Sequence, residues 1–582
     1  MMLEKIKSPA DVKALDVHSL EALAAEMRTA LIQKLSKTGG HAGPNLGFVD
    51  VTIALHYVFD SPKDKIVYDV SHQSYSHKML TGRAEAFLDP EKYWSVTGYT
   101  EPCESEHDHF MVGHTSTSVS LALGLATARD LKGETGNVIA VIGGGSLSGG
   151  EAFEGLDNAG EYATNFIVVV NDNEMSIAEN HGGLYKSLAE LRATAGESGN
   201  NYFKALGFDY RYVERGNDIA TLIEAFKAVK DSKRPVVVHV HTQKGKGLVW
   251  AEEDREGWHW AAPFDAATGV IHWGTGESYS EILAEYLLAK IKADPKVVVI
   301  HSAVPAGIGF NAGRRKMAGR QYIDVGIAEE HAVALASGLA KGGAKPIYST
   351  HSTFIQRTYD QLSQDLCANN NPATLLVTCA GADGMNDTTH LCIFDIPLMS
   401  NIPNLVYLCP TCVEEMKVMA DWAIDQTERP VAIRVPNGVT HRSDVFDKDY
   451  SRLNTYKVEH RGTRVAIFAL GSFYDRGVAA ALELKKAGVD ATLVNPRFAS
   501  GVDMALVEEL ACDHEVFVTL ENGVAEGGFG QKIATACGTL GVKVLVRGLA
   551  KEFYDKVPFE TLCENNRLSP RQVADDVLEA LK

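Results

Sequence analysis

Apolar and polar positions follow two alternating rhythms along this chain. Short, nearly unbroken runs of Val, Ile and Leu recur, as in NVIAVIG (137–143), NFIVVVN (165–171) and PVVVHVH (235–241). They continue with KVVVIH, ATLLVTC, NLVYLC, PVAIRV, RVAIFAL, DATLVN, EVFVTL and KVLVRG. Runs that are apolar at every position predict strands buried on both faces, as in parallel sheets. The stretches between them, such as EILAEYLLAKI and RGVAAALELKKAG, carry the helical period instead. Strand and helix in alternation predict doubly wound α/β domains. Two turn-rich or polar seams, at 262–280 and 440–462, divide the chain. The expected domains are 1–275, 276–445 and 455–582, each within the usual size range.

Composition narrows the class of protein. The chain has 582 residues, 45% apolar and 23% charged, which excludes disorder as its main state. Its 56 basic and 75 acidic residues leave a formal charge of −19, which repels phosphate backbones and anionic lipid. Neither nucleic acid nor a membrane surface is expected as a partner. The N-terminal MMLEKIKSPADVKALD lacks the apolar core of a signal peptide, and a cytoplasmic location is expected. Nine cysteines over this length suit a reducing compartment. The single CxxC, Cys409 to Cys412, has no second pair beside it and reads as a strand-to-helix corner.

The chemistry concentrates in GGGSLSGGEAFEGLDNAG (143–160) and NFIVVVNDNEMSI (165–177). A strand that enters a Gly-rich turn and then a helix offers backbone N–H groups to an anion. Such turns also bind dinucleotides, but no G-x-G-x-x-G precedes an acidic residue at the required spacing, so a dehydrogenase ranks last. The second segment sets an Asn/Asp cluster at the carboxyl end of the next strand, where ligands of open sheets gather.

Together these segments resemble the thiamine-diphosphate motif: GDG, a spacer just under thirty residues, then an Asn. The resemblance extends through GGHAGPNLGFVDVTIALHYVFD, YDVSHQSYSHKMLTGR, VGHTSTSVSLALGLA, DVGIAEEHAVALASGLA, HSTFIQRTYDQ and ENGVAEGGFG. The chain is similar to the transketolase-like superfamily and, within it, to the 1-deoxy-D-xylulose-5-phosphate synthase family. That implies three α/β domains of transketolase-like type, two binding thiamine diphosphate and one C-terminal, in a homodimer. It also implies Mg²⁺, held by Asn173 and the carbonyl of Met175. Glu329 matches the residue that protonates the cofactor's pyrimidine, and Phe354 the aromatic packed on it. His72, Gly113, His114, Thr115, Gly145 and Ser146 match further cofactor positions. His41, His72, His259 and His390 match the substrate channel and suit proton transfer near neutral pH, whereas His77 is expected to be structural. Arg357, His390, Asn386 and Asn437 fall on substrate positions.

Several positions depart from the family pattern. The GDG aspartate is Gly144, 29 residues before Asn173, which is expected to weaken the metal site unless Glu151 or Asp172 substitutes. Three arginines of the family pattern are replaced by Pro102, Cys379 and Asn437, its aspartate by Asn386, and the aromatic after GKG by Leu248. Losing arginines removes planar donor forks for carboxylate or phosphate. The segment after NDNEMSI is also shorter than the family's. The expected activity joins a two-carbon unit from a 2-oxo acid such as pyruvate to an aldehyde, with an acceptor altered from glyceraldehyde 3-phosphate. Ketol transfer between sugars and a non-catalytic paralogue are the alternatives.

Overall fold

Period-two packing of β-branched residues builds the first sheet. A computed structural model describes residues 1–385 and 387–582. Contacts divide the chain into two units, Met1–Thr275 with Gly326–Ala328, and Gly276–Val325 with Glu329–Lys582. The first unit holds β1 (Lys65–Tyr68), β2 (Val138–Gly143), β3 (Ile167–Asp172), β4 (Asp209–Val213) and β5 (Val236–His241). They pair in parallel in the order β1-β2-β3-β5-β4. Ile139, Val141, Ile167 and Val169 point into one core with the helices Val17–Thr38 and Ala42–Val58. Ala140, Ile142, Val168 and Val170 point into the opposite core with Ser118–Leu131 and Gly150–Glu161. Burial on both faces explains why these strands read as continuous apolar runs.

The second unit carries two sheets. One holds β6 (Val297–His301), β7 (Tyr322–Asp324), β8 (Lys345–His351), β9 (Thr374–Thr378), β10 (Val406–Leu408) and β11 (Val431–Arg434). Its order is β10-β11-β9-β8-β6-β7, with parallel pairings throughout. The other holds β12 (Lys457–His460), β13 (Arg464–Ala469), β14 (Thr492–Asn495), β15 (His514–Val524) and β16 (Lys543–Leu549). Here the order is β12-β14-β13-β15-β16, and only the β12 pairing is antiparallel.

The apolar runs locate the inner strands but pass over β1, β4, β7, β8 and β12. Of these, β1, β4, β7 and β12 are sheet edges; exposed positions break the run in β4 and β12, and β1 and β7 are only four and three residues long. β8 is buried but contains Pro346 and a polar Ser-Thr-His end, which disguise it. Cys412 caps the Val413–Asp425 helix with its sulfur on the Glu415 amide, so the CxxC is a corner. Among the described residues no helix is long and apolar enough to cross a membrane.

A buried ionic cluster joins the two sheets of the second unit. Arg434, at the end of β11, donates to Asp395 through Nε at 2.6 Å and Nη2 at 3.1 Å, and through Nη1 to Asn522 of β15. Tyr407 completes the cluster by donating to Asp395. Breaking one partner leaves a buried charge uncompensated. Asp395→Ala is expected to lower unfolding free energy by about 3–5 kcal/mol in urea denaturation, with Asp395→Asn losing less.

Candidate active site

In the first unit, three histidines from separate segments meet. The His41 and His72 ring centroids lie 4.9 Å apart, His41 and His259 5.7 Å, and His72 and His259 5.3 Å. His41 precedes the Ala42–Val58 helix, and its segment is tied to that of His259 by Gly40 N–H to Ala261 O and Gly43 N–H to Trp258 O, both 2.8 Å. Buried Asn45 donates to the carbonyls of His41 and His72, each at 2.7 Å, and accepts from the Tyr75 amide at 3.0 Å. Val70 and Ser71 both adopt left-handed φ, 56° and 60°, in the turn that presents His72. Left-handed backbone at a β-branched residue is strained and is held here by its surroundings. Burial holds the His259 imidazole well below its usual range, so this ring is neutral at pH 7.

Beside the histidines, turns 113–118, 143–149 and 171–177 lie against one another. Asp69, just past β1, accepts from the amides of Ser116 at 2.8 Å and Ser118 at 3.0 Å. Ser116 Oγ donates to the Ser146 carbonyl at 2.8 Å. The turns pack so closely that a Cβ on Gly149 would stand 2.0 Å from Ser116 Oγ, and one on Gly145 2.9 Å from Ser176 Oγ. His114 and Thr115 are half-buried in the first of these turns. Lys244, almost fully buried, donates to the Ser176 carbonyl at 2.8 Å, and burial pulls its ammonium down to about 7. His77 is fully buried, with Nδ1 on His56 at 2.8 Å and Nε2 on Asp108 at 2.9 Å.

The third turn, beside Gly144, is built around Asp172. Asp172 Oδ1 accepts from the Glu174 amide at 3.0 Å, while Oδ2 binds Arg192 Nη1 at 2.5 Å and His239 Nε2 at 2.9 Å. Burial acts to raise this carboxyl, but His239 and Arg192 outweigh it and hold the group near 2. Asn173 Oδ1 accepts from the Met175 amide at 3.2 Å. Glu151 is exposed in the first turn of its helix. Among the described residues no three His, Cys, Asp or Glu side chains are grouped to hold a metal ion. Both Asp172 oxygens are thus taken by protein partners.

The second unit places Glu329 at the first position of the Glu329–Lys341 helix, 3% exposed. Its Oε2 accepts no hydrogen bond among the described residues, and Arg357 Nη1 stands 3.7 Å away. Burial raises this carboxyl to about 7, against the pull of Arg357. A buried acid with an unfilled acceptor fits a ligand nitrogen, such as that of an aminopyrimidine. The Phe354 ring lies 5.9 Å from His351 and 5.8 Å, edge-on, from His390. His390 is buried, with Nδ1 3.2 Å from Asp387 Oδ1 and 2.8 Å from Thr389 Oγ1. Asn437 is exposed, Cys379 is half-buried with a left-handed φ of 53°, and Asn386 lies outside the described residues.

Asn45, Asp69, Lys244 and Asp387 escaped the sequence reading. Only Asp387 left a signal there, a carboxylate three residues before His390. The other three act through buried contacts to distant segments.

The sequence matches the family profile described as 1-deoxy-D-xylulose-5-phosphate synthase over residues 3–199. It matches the transketolase pyrimidine-binding domain over 276–441 and the transketolase C-terminal domain over 454–573. A 1-deoxy-D-xylulose-5-phosphate synthase from Caldanaerobacter subterraneus is 39% identical, covering 100% of this chain and 99% of the relative. The synthase from Carboxydothermus hydrogenoformans is 38% identical over 95% and 94% of the two chains. Among solved structures, transketolase from Leishmania mexicana is 16% identical over 96% and 97% of the chains, with a TM-score of 0.46. The full-length identity to these synthases shows that the chain belongs to the 1-deoxy-D-xylulose-5-phosphate synthase family of thiamine-diphosphate-dependent transferases.

Proposed function

We propose that this enzyme decarboxylates a 2-oxo acid, pyruvate in the plainest case, and joins the two-carbon unit to an aldehyde less anionic than glyceraldehyde 3-phosphate. The observation that carries the reading is the buried Glu329 carboxyl, raised to about 7 with Oε2 open to a ligand. When bound, thiamine diphosphate supplies the electron sink for the carbanion left by decarboxylation. In our reading Glu329 carries the proton for the cofactor's pyrimidine ring, and Phe354 packs on that ring. Gly113, His114, Thr115, Gly145 and Ser146 hold the diphosphate through the closely packed turns, with His72 beside them. His41, His72, His259 and His390 move protons at the substrate carbonyl and hydroxyl, and neutral His259 acts first as an acceptor. Asp387 stands against the His390 ring at Nδ1 and fixes its orientation.

Arg357 and His390 remain for the substrate, whereas Pro102, Cys379 and Asn437 stand where the family pattern has arginines. Fewer guanidinium groups favour an acceptor with less negative charge. With Gly144 in place of the aspartate, Asn173 and the Met175 carbonyl offer Mg²⁺ only neutral oxygens, and we infer a weakened metal site. The same proposal assigns domains 1–275, 276–445 and 455–582, a homodimer and a cytoplasmic location.

Three outcomes test this reading. Glu329→Gln is expected to slow CO₂ release from pyruvate by roughly a hundredfold or more, and wild-type-like turnover contradicts the role. In steady-state assays, kcat/KM for an uncharged short aldehyde should exceed that for glyceraldehyde 3-phosphate, and Asn437→Arg should shift the ratio back by about tenfold. The third outcome concerns pH. Because the folded Glu329 carboxyl titrates near 7, above its ordinary 4.5, the folded state holds a proton that the unfolded chain has released. Its contribution to stability is present below 4.5 and is lost as pH rises through 7. Glu329→Gln should therefore be more stable than wild type at pH 8 by about 2–3 kcal/mol in urea denaturation, with the gap closing by pH 4.5.

A further inference from the structure

The Gly183–Ala193 helix lies across both turns that carry the metal positions of the family pattern. Near its start, Tyr185 directs its hydroxyl at the carbonyls of Gly144 and Gly145, 3.1 Å from each. Two carbonyl oxygens that converge on one point form an electronegative spot, and here a phenol proton fills it. Seven residues later, on the same helix face, Arg192 donates to Asp172 Oδ2 at 2.5 Å. Leu188, fully buried between them, seats that face. One helix thus pins the turn after β2 and the turn after β3 to each other.

The position of Gly144 sharpens the argument. A Cβ there would stand 3.6 Å from the Asn171 carbonyl and 3.7 Å from Asp172 Oδ1. An aspartate at 144 would face the Asp172 carboxylate, an arrangement that a divalent cation relieves. With glycine the repulsion is gone, and Asp172 is already paired with the Arg192 guanidinium and hydrogen-bonded to His239. Removing a carboxylate together with a divalent ion takes only one net positive charge from the surroundings of a bound anion. The two changes therefore compensate each other better than either change alone.

We propose that Tyr185 and Arg192 do the bridging that a divalent cation does in the family pattern, so that this chain binds thiamine diphosphate without a divalent metal. The proposal rests on the cofactor reading above and makes Tyr185 and Arg192 positioning residues for the diphosphate turns.

Calorimetric titration with thiamine diphosphate, once with a chelator and once with Mg²⁺, tests it. Wild-type dissociation constants should agree within about threefold. Tyr185→Phe and Arg192→Gln should weaken binding in chelator by at least about tenfold, with unchanged circular dichroism. Gly144→Asp, which leaves the helix contacts in place, should bind only when Mg²⁺ is present, and it serves even where Arg192→Gln fails to fold. Wild-type binding that appears only with Mg²⁺ overturns this inference and leaves the cofactor reading standing. No binding in either buffer overturns both.

Discussion

Water exclusion around one carboxyl group sets the terms for the rest of this molecule. Glu329 begins a helix, where an exposed acid would favour the helix dipole and stay ionised. Burial reverses that preference, and Arg357 at 3.7 Å offsets only part of the cost. The result is a group that titrates near neutrality and carries an acceptor oxygen without a hydrogen bond among the described residues. Stability and chemistry pull against each other at this position, which is usual where a protein tunes an acid for proton transfer.

In the closely packed turns of the first unit a different rule holds, and most of the buried polar groups bond one another. Asp69 accepts two amides of the 113–118 turn, Ser116 reaches the Ser146 carbonyl, and Asp172 satisfies three donors. These turns are rigid because their buried polar atoms bond one another, and glycine is required where Cβ atoms would collide, as at Gly149. Gly144 therefore sits within closely bonded turns. Gly144, Pro102, Cys379 and Asn437 depart from the family pattern, while Glu329 and the histidine cluster keep to it.

Much of this was legible in the residues themselves. Inner strands such as β2, β3 and β5 announce themselves because both faces are buried, while edges such as β4 and β12 alternate with solvent and blur into loops. The proposed chemical positions rest mainly on resemblance, since a lone Glu at a helix start or a lone Phe carries no chemistry by itself. The partners were not readable. Arg192 reaches Asp172 across 20 residues, and Lys244 reaches Ser176 across 68, so each pairing appears only once the chain is folded. The same holds for Asp172, whose oxygens are committed to Glu174, Arg192 and His239.

The central claim is that the Glu329 carboxyl activates the cofactor. It is tested most directly by the rate at which the thiazolium C2 proton of bound thiamine diphosphate exchanges into deuterated water, read by acid quench and NMR. Exchange in Glu329→Gln slower than in wild type by about a hundredfold or more is the predicted result. Equal exchange rates in the two proteins would contradict it.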